Sequence, residues 1–259
     1  SGEIQVACAL GVWEQWTYGG RSVVFLANLP EYVPAIFIDK QCGSSMSAIH
    51  HGAMQIMTGY ADLTIAVGME HMTRVPMGPT NKWVSRPEEL LTKEEYKHYE
   101  METGFVMGLT AEKLFKEAAE KHGITKEDMD KWSLRSHQLA VKAQEEGFFK
   151  GEILPIEVTY PDGTKKVIDR DLSVRPDTSL EKIRRLPPAF KEGGVITAGN
   201  SSPLNAGATC VVLASREKAA LLPVVTVREG KPPEEEGGTC QQLGIVTAVS
   251  EAVLRTHLG

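Results

Sequence analysis

The sequence predicts an α/β fold, in which a sheet with parallel strands is covered by helices and interrupted by a more helical block. Three observations carry this expectation. Two short apolar runs, 34–39 and 63–68, flank a segment with Met46, Ile49, Ala53 and Ile56 at three- and four-residue spacing, one face of an amphipathic helix. Strand, helix and strand at this spacing form a βαβ unit with parallel strands and a right-handed crossover, and continuously apolar strands require cover on both faces. From about Pro79 to Glu192 the chain is more charged and its helical patterns are longer, and sheet character then returns.

Composition narrows the function classes. A chain of 259 residues suffices for one large domain or two ordinary ones. The net charge of -6 and the absence of a basic stripe argue against a nucleic-acid partner. No apolar run approaches the ~20 residues of a membrane helix. Ser1 to Gln5 shows neither a basic nor an apolar targeting segment. The four cysteines, at 8, 42, 210 and 240, have no metal-ligand spacing. Such usage in a chain this size points to a reducing compartment, hence to a soluble, cytoplasmic protein without a metal.

Taken in order, residues 4–10 predict a buried strand with Cys8 in the core. A helix opens at Gly19-Gly20-Arg21 and closes at Pro30. The strand at 34–39, the helix at 44–57 and the strand at 63–68 follow, with His50 and His51 as packing or surface residues. His71 follows a strand end, where lining a site and a structural role are both open. Within the charged block, Lys93–Tyr99 reads as a short helix. Thr110 is expected to cap a helix through Lys121, with Leu114, Phe115, Ala118 and Ala119 inward and Gly123 as its stop. Thr125 and Asp128 form a capping-box pattern that opens a long helix ending at Gly147. Residues 153–169 predict a hairpin turning at Pro161-Asp162-Gly163, and 179–186 a last short helix. Residues 195–204 predict a strand feeding a small-residue turn, and 208–214 another strand. Residues 231–238 read as an exposed linker, and 243–254 as an apolar piece of open type. The boundaries expected are a core at 1–78, an inserted cap at 79–193, a return to the core at 194–216, and a tail or remnant domain at 217–259.

The stretch carrying chemistry is Ile36-Phe37-Ile38-Asp39-Lys40-Gln41-Cys42-Gly43-Ser44-Ser45. A cysteine between a strand and a helix faces the free amides and positive dipole end of that helix, which stabilise a thiolate. A buried structural cysteine is the alternative. The small polar residues after Cys42 favour the nucleophile, because core filling needs no open helix end.

Several stretches together resemble the thiolase family: Cys42-Gly-Ser-Ser-Met-Ser-Ala-Ile49, Val67-Gly-Met-Glu-His-Met72, Met107-Gly-Leu-Thr-Ala-Glu112, Arg175 with Leu186 to Phe190, and Thr197-Ala-Gly-Asn-Ser-Ser-Pro-Leu-Asn-Ala-Gly207. The likeness runs in order from about residue 18 to 216. It implies a thiolase-like layered fold, in which an N-terminal half with a mixed sheet covered by helices carries a helical loop-domain insertion. It also implies acyl transfer through a cysteine thioester between coenzyme A thioesters, with CoA or acyl-CoA as substrate and no permanent cofactor. Cys42 would be the nucleophile, and its backbone amide part of an oxyanion site. Met107, Arg175, Lys182, Phe190, Ala198, Ser202 and Leu204 stand where the family lines its CoA tunnel. Ordinary core remains the alternative for Phe190 and Leu204, and solvated charge for Arg175 and Lys182.

The family's asparagine–glutamate–alanine–phenylalanine and glycine–histidine–proline motifs are not found in this sequence, nor is its opening arginine–threonine–proline stretch. Cys240 lies in a region faintly similar to the one bearing the family's second catalytic cysteine, without the glycine two residues on. Two functions are therefore open. One is a thiolase-type acyltransferase acting as a homo-oligomer or with a partner chain supplying the missing half. The other is a catalytically incomplete subunit that binds CoA esters or acts as a scaffold beside such a partner.

Overall fold

A computed structural model describes residues 2–76 and 87–221, together with the backbone of 244–246. In chain order the elements are β1 (Gly2–Ala7), α1 (Arg21–Leu26), β2 (Ala35–Ile38), α2 (Ser44–Met57), β3 (Leu63–His71), α3 (Glu88–Thr92), α4 (Met101–Gly104), α5 (Met107–His122), α6 (Lys126–Glu145), β4 (Ile156–Thr159), β5 (Lys165–Ile168), α7 (Leu180–Arg184), β6 (Ala206–Ala214), α8 (Arg216–Ala219) and β7 (Gly244–Val246), with single 3-10 stretches at Trp13–Gln15 and Glu94–Tyr99. The chain divides into two compact units, 1–81 with 205–259, and 82–204.

The first unit is built on a mixed sheet of order β2-β1-β3-β6-β7. Strands β2, β1 and β3 run parallel, with Ile4 opposite Ala35 on one side and opposite Ile65 on the other. Strand β6 returns antiparallel to β3, and β7 pairs antiparallel with β6. Alternation along the strands sorts the side chains onto two faces. Ile4, Val6, Leu63, Ile65, Val212 and Ala214 cluster on one face with Val24 of α1 and Val33. On the other face, Ala7, Ala66 and Leu213 meet Ala48, Ile49, Ala53 and Ile56 of α2. Each large side chain so buried contributes about 1.5–3 kcal/mol. The helix lies close to the sheet: a Cβ on Gly52 would come within 2.5 Å of Thr64 Oγ1. Beneath it the fully buried Gln5 donates from Nε2 to Glu3 Oε2 at 3.1 Å and to Gln55 Oε1 at 3.2 Å. The strand predicted at 4–10 thus begins and ends earlier, at 2–7, and Cys8 just beyond it is buried.

The second unit is mainly helical. Helix α6 opens with the expected capping box: Asp128 N donates to Thr125 Oγ1 at 3.2 Å, and Thr125 N donates to Asp128 Oδ2 at 2.8 Å. Helix α5 begins three residues before the expected cap. Thr110 lies inside its first turn and donates from Oγ1 to the Thr103 carbonyl oxygen at 2.8 Å, so it does not cap the helix. Leu114, expected inward, is exposed. Strands β4 and β5 form the hairpin, with Thr159 opposite Lys165 across the turn.

The strand expected at 195–204 is not formed. Glu112 Oε1 accepts from the amides of Val195 at 2.9 Å and Ile196 at 2.8 Å. Asn200 Oδ1 accepts from Thr197 N at 2.8 Å, and its Nδ2 donates to the Val195 carbonyl oxygen at 3.0 Å. Side chains occupy backbone groups that a ladder would need, which is how Asn, Thr and Ser compete with sheet. The linker read at 231–238 lies outside the described residues, as does all of 243–254 except the β7 backbone.

Candidate active site

In the first unit, the carboxyl ends of three parallel strands lie along one edge of the sheet, the edge at which α/β folds place ligands. Cys8 follows β1, Asp39 to Cys42 follow β2, and Glu70 and His71 end β3. Side chains stitch these ends together. Glu70 Oε2 accepts from Ala9 N at 2.8 Å, and Gln41 Nε2 donates to the Ala9 carbonyl oxygen at 3.3 Å. The buried Gln15 donates from Nε2 to the Leu10 carbonyl oxygen at 2.9 Å and accepts from His71 N at 2.5 Å.

Cys42 is exposed on the turn between β2 and α2, so it is not core filling. Gln41 before it adopts a left-handed conformation, φ 53°. The amides of Gly43 and Ser44 turn back onto the carbonyl oxygens of Lys40 at 3.1 Å and Gln41 at 3.0 Å. Helix α2 then runs for 14 residues, with its first amides and dipole at the cysteine end. An accessible thiol in this setting can attack an electrophilic carbon, and a backbone amide at the helix start can receive the charge that develops. Cys8 is different. Burial pushes its thiol up to about 11, and the charges of Glu70 and Asp39 add to the effect. Among the described residues no histidine is hydrogen-bonded to Cys42. His71 Nδ1 meets Thr73 Oγ1 at 3.1 Å, and His51 Nε2 meets Gln55 Nε2 at 3.1 Å.

The second unit holds a cavity of about 260 Å³ lined by His137, Arg175, Asp177, Lys182, Leu186 and Ala198, among others. Three of the residues expected at a CoA tunnel therefore share one cavity. Its size suits one end of a long ligand rather than the whole. Lys182 Nζ donates to Asp177 Oδ2 at 2.9 Å and to the Asp177 carbonyl oxygen at 2.6 Å. That ammonium holds the Asp177 carboxyl below the usual carboxylate range. Arg175 N donates to His137 Nδ1 at 3.2 Å. Elsewhere in this unit Phe190 lies over Gly108, next to the exposed Met107. Ser202 and Leu204 are exposed, as is Phe190, so neither Phe190 nor Leu204 is core. Cys240 lies outside the described residues.

Residues 2–217 match the family described as thiolase, N-terminal domain. The chain belongs to the thiolase family. A 3-ketoacyl-CoA thiolase of Bacillus subtilis (strain 168) is 38% identical over 266 residues, spanning 97% of this chain and 64% of the relative. The human mitochondrial 3-ketoacyl-CoA thiolase, solved in complex with CoA, superposes with a TM-score of 0.67 at 29% identity, covering 85% of this chain and 54% of that one. The dimeric peroxisomal thiolase of Saccharomyces cerevisiae gives a TM-score of 0.68 at 30% identity, covering 85% and 53%. The chain thus spans between about half and two thirds of the length of the proteins it resembles.

Sequence reasoning missed four residues of this chain. Gln41 and Ser44 build the turn under Cys42, Gln15 joins the ends of β1 and β3, and His137 lines the cavity. The small polar run after Cys42 was a signal for Ser44. Nothing local distinguishes Gln15 from a surface glutamine.

Proposed function

We propose that this chain carries thiolase-type acyl transfer through a thioester on Cys42. The Cys42 sulfur attacks the carbonyl carbon of an acyl-CoA, and the oxygen of the adduct takes up negative charge beside the Cys42 amide. Collapse breaks the bond to the CoA sulfur, which leaves with the proton given up by the cysteine. Transfer of the acyl group to an acetyl-CoA carbanion, formed by loss of a C2 proton to a base, gives condensation to a 3-ketoacyl-CoA. In the reverse direction Cys42 attacks the 3-keto carbon, the C2–C3 bond breaks, and the departing acetyl-CoA carbanion takes up a proton. The thiol of a second CoA then takes the acyl group while its proton returns to Cys42. Arg175 and Lys182 would meet CoA's phosphates, Phe190 and Leu204 its apolar arm, and Ser202 an amide of that arm. Ala198 would line the arm's path, with Met107 near its reactive end. Cytoplasmic placement and self-association complete the reading, the latter drawing support from the dimeric yeast thiolase.

The observation that carries it is the exposure of Cys42 at the β2–α2 turn. Incubation with acetyl-CoA followed by intact mass measurement tests it. Addition of one acetyl group, lost in Cys42→Ala, is expected. Release of acetoacetyl-CoA would show the complete condensation, and no addition at any pH would defeat the reading.

A further inference from the structure

We infer that Ser44 is the positioning residue for Cys42, acting through the left-handed backbone of Gln41. The inference rests on Cys42 being the reactive thiol. Ser44 stands two residues after Cys42 and is only 2% exposed. Its hydroxyl is used in both directions: Oγ accepts from Lys40 N at 2.7 Å and donates to the Gln41 carbonyl oxygen at 2.6 Å. One side chain thus clamps the two residues that precede the cysteine. The Gln41 carbonyl oxygen also accepts from Ser44 N at 3.0 Å.

The clamp has a reason in the backbone. Gln41 has φ 53°, a conformation that L residues with a Cβ resist. An unfavourable dihedral persists only where its surroundings hold it. Ser44 supplies that hold from within α2. The other anchors are weaker: Gln41 N donates to Asp39 Oδ1 at 3.1 Å on an exposed surface, and Gln41 Nε2 reaches Ala9 at 3.3 Å. If Gln41 relaxed to an ordinary conformation, the peptide joining it to Cys42 would rotate. The Cys42 amide and thiol would then no longer be presented together at the start of the helix.

The test is the alkylation rate of Cys42 by iodoacetamide at pH 7, read by peptide mass in the full chain, with exposed Cys210 as the internal reference. Ser44→Ala removes both bonds and is expected to lower the Cys42-to-Cys210 rate ratio about tenfold. Ser44→Thr keeps the hydroxyl and is expected to recover most of that loss. An unchanged ratio in Ser44→Ala, equal slowing at both cysteines, or a loss that threonine does not recover would each overturn the inference. Should Ser44→Ala fail to fold, Gln41→Gly and Gln41→Val decide. Glycine accepts a positive φ and valine does not, so the glycine variant is expected to react about tenfold faster; equal rates would refute the clamp. Alkylation needs no CoA. Failure of acetyl transfer with the Ser44 effect intact would therefore count against the acyltransferase reading alone.

Discussion

Gly108 lies so close beneath Phe190 that a Cβ built on it would stand 2.0 Å from Phe190 Cγ. The obstructing atom is the root of the ring, so turning the ring about its own axis gives no relief. Gly108→Ala is expected to cost about 1–3 kcal/mol by overpacking, read as a lower midpoint in thermal denaturation. Phe190→Ala in the same chain should return part of that loss, because the two changes share one contact. An additive double variant would show that the alanine is accommodated elsewhere.

Cys8 should make the fold sensitive to alkali. Its folded value of about 11 lies above the ordinary thiol value of 9.0. Below pH 9 both folded and unfolded chains keep the proton, and the burial of Cys8 is without penalty. Between pH 9 and 11 the unfolded chain ionises first, so stability falls as pH rises. The melting temperature of the parent should drop more steeply across this window than that of Cys8→Ala. Parallel curves would mean that the buried thiol does not control the loss.

The cavity of the second unit predicts opposite effects of two charges on CoA affinity, measured by titration calorimetry. Arg175→Ala removes the guanidinium proposed to meet phosphate and should weaken binding about tenfold. Asp177→Asn removes a negative charge and loosens the hold on Lys182, and should tighten binding by about two- to fivefold at low salt, less at high salt. Weaker binding by Asp177→Asn would mean instead that the carboxylate is needed to hold Lys182 in place.

The capping box of α6 carries its own pH signature. The hydroxyl and amide of Thr125 hold the Asp128 carboxyl below the ordinary value of 3.8. Its stabilisation is present above that value and is lost as pH falls through the lower, folded one. Thr125→Ala should therefore lower the melting temperature at neutral pH, and the gap from the parent should narrow in acid. A gap of constant size would show that Asp128 is not part of the cap.

What could be read from the sequence follows from how local the cause is. The strand–helix–strand around Cys42 shows in its apolar periodicity, and the α6 cap in four consecutive residues. The failure at 195–204 has a distant cause. Glu112, on α5, takes the amides of Val195 and Ile196, and no local pattern reveals that partner. Gln41 is a similar case, since its left-handed backbone depends on a hydroxyl beyond the cysteine. The family resemblance brought Arg175, Lys182 and Ala198 forward together, although they are scattered in sequence and join one cavity only after folding.

His71 and Ala206 face each other across the β3–β6 ladder, and just beyond them Met72 N donates to the Asn205 carbonyl oxygen at 3.1 Å. The long excursion between these positions leaves the sheet and comes back to it through bonded neighbours. Closure entropy grows only with the logarithm of loop length, so changing the length of the excursion alters the cost of closing the sheet little. A tight hairpin across the same positions would keep the same pairing at a lower closure cost. The excursion is thus free to be reshaped over evolutionary time while the β3–β6 pairing stays the same.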